Sequence, residues 1–466
     1  MTKGVNFRQK RSLGEEKISR LLFNLAFPSI FAMTVNALYN IVDTIFIGKW
    51  VGDLGIAGLA IAFPIQMLIM GFGQLIGIGA ASAISRSLGA GDKERAEKVL
   101  GNSFTSLLFL SGIFAIIGLV FTDFILVLFG ATETILPYAK DYVTIIFMGS
   151  VFFAFAVNLN NIVRAEGKAV IAMFSMVIGA VLNIALDPIF IYFLDMGIKG
   201  AALATIISQF VSFLFVMTYI LSGKSALKLK LQHLKADFKI MKEIVSVGFS
   251  AFAKQSTNSF FAIIVNNTLR VFGGDVAITI FGIVNRIIMF LFLPMIGIVH
   301  GMQPIVGYNY GANKIKRVKQ TINLTLIVAT VFAVIGWING MVFGGFIVRA
   351  FTEDPYLISE GARVFRIVIL MLPLVGIQFV GATLFQSLGK AIPALILSML
   401  RQFIVLAPLV IILPRIFGLE LLGVWIAFPI SDIIASGITI FLITRQLKLI
   451  YSQIDEEEGL KPNEEN

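Results

Sequence analysis

Cysteine is absent from this chain of 466 residues, and histidine occurs only twice, as His233 and His300. The first absence excludes disulfides and thiolate metal sites. The second leaves a hydrolase little to work with. No HExxH, GxSxG or GxxxxGK[ST] pattern occurs, so zinc hydrolysis, serine chemistry and ATP-driven work by this chain lack their residues. Charge is also scarce. Asp, Glu, Lys and Arg make up 14% of the chain, against about 25% in soluble domains. What replaces charge is apolar: 58% hydrophobic residues, with 43 phenylalanines and 42 glycines, and a mean hydropathy of +0.91. This is the composition of a polytopic membrane protein, with phenylalanine for lipid-facing surface and glycine for close helix contacts. The net charge of +10 does not indicate nucleic acid, because the basic residues sit in short loops between apolar runs and suit anionic lipid. The first apolar run is too long for a signal-peptide core and lacks a small-residue cleavage site, so no cleaved leader is expected.

Twelve apolar segments are long enough to span a bilayer, the first near 21–47 and the last near 421–444. The expected division is a basic cytoplasmic tail at 1–20, a six-helix lobe at 21–222, a cytoplasmic linker at 223–242, a second six-helix lobe at 243–446 and an acidic cytoplasmic tail at 447–466. The linker is Lys-rich and reads as a surface amphipathic helix; the acidic end reads as disordered. One set of loops, with both tails, holds roughly two dozen Lys and Arg, which places both termini in the cytoplasm of an inner (plasma) membrane protein.

The chain also repeats itself. Gly52-Asp53 recurs as Gly274-Asp275, Gly89-Ala90 as Gly311-Ala312, and Gly167-Lys168-Ala169 as Gly389-Lys390-Ala391, each 222 residues later. A constant offset across several loops implies two lobes of common fold. Six spans per lobe is an even number, so the lobes are parallel repeats about an axis along the membrane normal, with a substrate cleft expected between them near the midplane. Carried forward by 222, Asp43 becomes Val265, Asn160 becomes Ala382, Asn183 becomes Val405, Asp187 becomes Leu409 and Thr205 becomes Ala427. A structural need common to both lobes would survive in both copies. The polar set therefore points to chemistry confined to the first lobe. A carboxylate in mid-membrane costs roughly 2.5–3.5 kcal/mol on insertion scales and is usually functional. Asn183 and Asp187 lie four residues apart on one helix face, and Pro188 bends the helix beside them. Two carboxylates with neutral oxygen donors suit a hard cation or a proton.

Several stretches carry a resemblance: NALYNIVDTIFIGKWVG at 36–52, SRSLGAGDKERA at 85–96, RAEGKA at 164–169, VLNIALDPIFI at 181–191 and GIKGAALATIISQ at 197–209. With them the chain resembles the MATE (multidrug and toxic compound extrusion) transporters, of the larger group that includes polysaccharide and lipid-linked oligosaccharide flippases. The likeness covers nearly all twelve spans. It implies an all-α fold of 12 transmembrane helices in two pseudo-symmetric bundles. It also implies alternating-access export of amphipathic, often cationic compounds against inward H⁺ or Na⁺. In the branch with an acid in the first helix, the matching coupling residues are Asp43, Asn160, Asn183, Asp187 and Thr205, with Na⁺ an option at Asp43, Asn183, Asp187 and Thr205. Other branches place carboxylates in helices seven and ten, where this chain has Lys254 and Gln378.

The remaining expectations follow. Asn36, Tyr39, Asn40, Met289, His300 and Gln303 are candidates to line the substrate cavity. Lys254 and Arg401 are read as snorkelling to the membrane edge, and Arg286 is paired with Asp432. Met289, Met295 and Met302 are read as core packing. Gly71, Gly73, Gly77 and Gly79 recur at the spacing of helix contacts, not of a nucleotide loop. No enzyme activity, cofactor or nucleic-acid partner is expected; the partners are the bilayer and small amphipathic substrates, and the chain is read as a monomer. The alternatives are a flippase for a lipid-linked glycan and, with less support, an intramembrane lipid-modifying enzyme.

Overall fold

The computed structural model describes residues 13–416 and 418–457. The basic residues before 13 and the end of the acidic tail, 458–466, fall outside that range. Helices fill the chain. In order they are α1 (Ile18–Trp50), α2 (Asp53–Gly89), α3 (Lys93–Val120), α4 (Leu136–Ala165), α5 (Ala169–Asp187) and α6 (Gly197–Leu221). A helical stretch over Phe238–Gly311 is parted at Gly274, whose φ of 60° and ψ of −159° are not helical; its halves are α7 (238–273) and α8 (275–311). Then come α9 (Ile315–Arg349), α10, which is the pair Pro355–Val368 and Leu372–Ser387 bent by 53°, α11 (Ala391–Met399 and its continuation) and α12 (Glu420–Ile450). Counted so, the chain makes twelve spans, in two bundles of six.

The repeat is written into the backbone as well as the sequence. Left-handed residues recur 222 positions apart: Gly52 with Gly274, Gly91 with Asn313, Gly167 with Gly389. Those turns need a residue that tolerates positive φ, which glycine and asparagine do.

The lobes meet through glycine. A Cβ on Gly79 would lie 1.9 Å from the carbonyl oxygen of Ile244, and one on Gly248 1.6 Å from that of Leu75. Gly89 stands in the same relation to Tyr308, and its repeat mate Gly311 to Arg86, the repeat mate of Tyr308. Among the described residues, the glycine-mediated approaches between the lobes lie at mid-span or in the half nearer the chain termini. Ser82, from α2, donates a hydrogen bond across the same seam to the carbonyl of Gln386. The bundle is therefore shut at that end.

The pseudo-symmetry breaks in one place. Leu75 faces Gly248 and Gly79 faces Ile244, so symmetry would put Gly297 against Ala26. Gly297 instead meets Ile30, and Gly301 meets Ala26. Helix α1 is thus displaced by four residues, about one turn of ~5.4 Å, relative to α7. Gly248 has Ala26 as its counterpart, and a methyl group there cannot approach a carbonyl as closely as Gly248 does.

The linker does not form the expected surface helix. Apart from a short 3₁₀ turn at Leu231–Leu234, it is irregular, and α7 begins at Phe238 under the Asp237 cap. The reason lies in the first lobe, which uses the linker's polar groups. Glu166 accepts from Ser225 Oγ at 2.6 Å and from the Ala226 amide at 3.3 Å. Buried Glu97 accepts from the Lys228 amide at 3.3 Å and pairs with Lys230 at 2.6 Å. Asn102 accepts from the Asp237 amide at 2.7 Å.

At the same end Leu13, 1% exposed, packs on Gly167 of the first lobe. Its carbonyl, with those of Gly14 and Glu16, accepts from Asn309, Lys314 and Arg317 of the second. The N-terminal segment therefore clips both lobes together.

Since the chain is free of cysteine, closure can be read from one introduced thiol. Ser82→Cys is expected to resist maleimide in the parent and to become reactive when Gly248→Ala pries the seam apart. Unchanged labelling in the double variant would contradict the role given to the glycines.

Candidate functional site

Asp43 comes from the far half of α1 and Asp187 from the last residue of α5; both are buried. The two carboxyls lie within electrostatic reach of each other. Two carboxylates close together in an apolar site repel, which favours a proton on one of them. Asn183, one turn before Asp187, donates to its Oδ1 at 3.4 Å. Four buried oxygens around these helices have no partner among the described residues: Asp43 Oδ1, Asn160 Oδ1, Asn183 Oδ1 and Asp187 Oδ2. Unsatisfied buried acceptors are costly and rare, and here they gather on the predicted residues.

The local backbone explains how Asp187 is presented. At Pro188 the α-helix passes into a π-turn over Pro188–Phe193. Proline has no N–H to continue the α pattern, and π-turns cluster at functional sites. The far end of α1 is fastened to this turn by Trp50 against Tyr192, ring centroids 5.6 Å apart. Helices α1 and α5 thus meet twice, at the carboxyl pair and at the aromatic pair.

Of the other predicted residues, Thr205 does not bond the carboxyls. It lies near Tyr142, which accepts from Gln66 Nε2 at 2.7 Å. Tyr142 is 1% exposed and lies within electrostatic reach of Asp43 and Tyr39. Tyr142 and Gln66 thus extend the site, and the sequence reading missed them. The repeat held the signal: 222 positions on, Gln66 becomes Ile288 and Tyr142 becomes Val364, both apolar.

Among the cavity candidates, Tyr39 sits one turn before Asp43, within electrostatic reach of both carboxyls. Asn40 donates to the Asn36 carbonyl at 2.7 Å, and Asn36 itself is half-buried. Met289, His300 and Gln303 lie on α8 of the other lobe and do not join the first-lobe network. Met289 is 60% exposed, so the core-packing expectation fails for it, while Met295 and Met302 are buried as expected. Gln303 is buried with Nε2 unpartnered. His300 is half-buried within electrostatic reach of Arg164 and Lys254.

Two second-lobe expectations are corrected. Arg401 does not snorkel outward, and Asp432 does not pair with Arg286. Arg401 Nε bonds Asp432 Oδ1 at 2.6 Å, with the arginine side chain 19% and the aspartate 1% exposed. Arg286 is exposed. The π-turn Leu400–Leu406 in α11 carries Arg401 and delivers it to α12. Lys254 is likewise engaged within its own lobe. Its Nζ lies 4.4 Å from the centre of the Phe379 ring on α10.

With this geometry in hand, comparison with known proteins is direct. The MatE family model matches residues 28–189 and again 250–412, once per lobe at the 222-residue spacing. The chain belongs to the MatE family, the MATE membrane transporters. It is similar to the multidrug export protein MepA of Staphylococcus haemolyticus (strain JCSC1435), at 31% identity over 92% of this chain and 94% of that one. Among solved structures it resembles a ligand complex of the MATE multidrug transporter DinF-BH, at 45% identity and a TM-score of 0.86, covering 94% of this chain and 98% of that one. It also resembles the outward-facing conformation of a MATE family transporter of the MOP superfamily, at 27% identity, a TM-score of 0.89 and the same coverage.

The Arg401–Asp432 pair carries a stability test. Removing one partner of a buried pair costs about 3–5 kcal/mol, whereas replacing both with apolar residues is near neutral. Asp432→Asn is therefore expected to lower the thermal midpoint of the purified protein, and Arg401→Met with Asp432→Leu to restore most of it. Equal losses in the single and double variants would show that the pair does not act as a unit.

Proposed function

We propose that this chain is a secondary active multidrug exporter that moves amphipathic, often cationic compounds out of the cell in exchange for an inward cation. The ion we assign is H⁺. The observation that carries this reading is the burial of Asp43 and Asp187 within reach of each other, among orphaned oxygens, where a proton on one carboxyl relieves the repulsion between them. A proton leaving the pair exposes two carboxylates to each other in a low-dielectric site, where like charges repel strongly. The two helices then separate or the pair takes up another cation. Either event acts on α1, which is fastened to α5 at this point and lies one turn out of the symmetric register at the seam.

The two-state element proposed is the pair of lobes, taken as 21–222 and 243–446 with the linker 223–242 and both termini in the cytoplasm. The end shut by Gly79, Gly248, Gly89 and Gly311 is then the cytoplasmic one, and the described state is closed to the cell interior. A cationic substrate entering the cleft competes with the proton for the same acids, so occupancy by one favours release of the other. The relatives' names, multidrug export protein and multidrug transporter, support the substrate class. Na⁺ is the second ion to test, because Asp43, Asn183 and Asp187 offer it oxygens at the same place.

Reconstituted vesicles with an imposed pH or Na⁺ gradient test this. Asp43→Asn is expected to abolish gradient-driven export of a lipophilic cation while the protein still accumulates in the membrane. Undiminished export by that variant would defeat the assignment, and export driven by Na⁺ alone would replace the proton.

A further inference from the structure

The same comparison between lobes, run in reverse, isolates a second cluster. Lys254, Gln378 and Arg401, carried back by 222, become Ala32, Ala156 and Gly179. Asp432 becomes Phe210, or Val211 at the offset of 221 by which left-handed Gly418 follows Gly197. These polar groups have no counterpart in the first lobe, yet the structure brings them together. Arg401 bonds Asp432 at 2.6 Å. Gln378 Nε2 donates to the Asp432 carbonyl at 3.2 Å and to Ser436 Oγ at 3.0 Å, and its Oε1, in a side chain more than nine-tenths buried, has no partner. Phe292 and Phe379 pack edge to face at 5.4 Å. Arg401 lies over Phe292 at 5.2 Å and Lys254 over Phe379 at 4.4 Å.

The charges in this cluster do not cancel. Two cations share one carboxylate, and that carboxylate is committed to Arg401. Among the described residues no Asp or Glu lies within ion-pair distance of Lys254. The residue is half-buried, inside a span, with its Nζ turned to the Phe379 ring of α10. The next residue, Gln255, reaches Met67 of the first lobe at 2.8 Å, so Lys254 stands beside the line where the lobes meet. An unpaired ammonium at this depth costs a few kcal/mol, and an aromatic face offsets about 0.5–2 of that.

We infer that Lys254, flanked by Arg401 and walled by Phe292 and Phe379, is a subsite for an anionic group, a carboxylate or sulfonate, carried by an amphipathic substrate. The aromatic pair seats the apolar body and the ammonium seats the acid. The transporter then accepts zwitterionic amphiphiles, with their cationic end for the first-lobe acids, as well as simple lipophilic cations. This deepens the proposed export function and rests on it.

The test uses two rhodamine dyes of one skeleton, the cationic ethyl ester and its zwitterionic free acid, with full-length protein in vesicles under one imposed gradient. Wild type is expected to export both. Lys254→Gln is expected to raise the KM of the free acid at least about five-fold and leave the ester unchanged, with Lys254→Arg keeping the free acid near wild type. Wild type that exports the ester but not the free acid overturns the subsite and leaves the export function standing. Export of neither dye overturns the export function and the subsite with it. Equal loss of both dyes in Lys254→Gln overturns the subsite, because the lysine then serves the fold or the cycle. Binding to purified wild type reads the same point without a variant: the free acid is expected to bind at least as tightly as the ester, and clearly weaker binding overturns the inference.

Discussion

Two carboxyl groups buried within reach of each other inside an apolar slab repel strongly when both are ionised. Asp43 and Asp187 are in that position, and much else in the first lobe is arranged around them. The π-turn after Asp187 ends α5 where its last side chain must face α1. Trp50 and Tyr192 hold the two helices together beyond the pair. Asn183 supplies the one amide that reaches Asp187, and Tyr142, with Gln66 and Thr205, closes the wall behind Asp43. Orphaned acceptors on Asn160 and Asn183 leave room in the site for a second arrangement of the same groups. A site built only for stability would have satisfied them.

In the proposed cycle the seam between the lobes is the other half of a two-state device. Glycine brings backbones so close that no side chain can be inserted, and interfaces of this kind are either packed or parted, with little in between. The one-turn displacement of α1 against its symmetry mate falls on the helix that carries Asp43. A change at the carboxyl pair therefore acts on the helix whose packing at the seam already departs from the symmetric solution. The linker is hydrogen-bonded to the first lobe through Glu97, Asn102 and Glu166, so it moves with that lobe. The N-terminal clip at Leu13–Glu16 bridges both and must release if the shut end opens.

Much of this was legible in the residues alone. Spans, their number and the two-lobe plan follow from apolar length and from a repeat that glycine-dependent turns preserve. The acidic pair was legible because buried charge is rare in such a chain and because the second lobe lacks it. What escaped was of two kinds. Tyr142 and Gln66 look like ordinary interior residues on α4 and α2 until the repeat is consulted position by position, and Thr205 lies near Tyr142. Arg401 looked free to snorkel because sequence spacing does not reveal a π-turn that redirects a side chain toward another helix, and Arg286 looked buried because exposure within a span depends on tertiary packing. The linker looked amphipathic, but its lysines and amides answer to Glu97 and Glu166, which lie far away in the chain.

The most direct measurement is infrared difference spectroscopy of the reconstituted protein, with and without a bound lipophilic cation. The expected result is loss of a protonated-carboxyl stretch when the cation binds, a band that is missing from Asp43→Asn and from Asp187→Asn alike. A substrate-induced spectrum with no carboxyl band, or a band that survives removal of either aspartate, would contradict the shared proton at the centre of the proposed cycle.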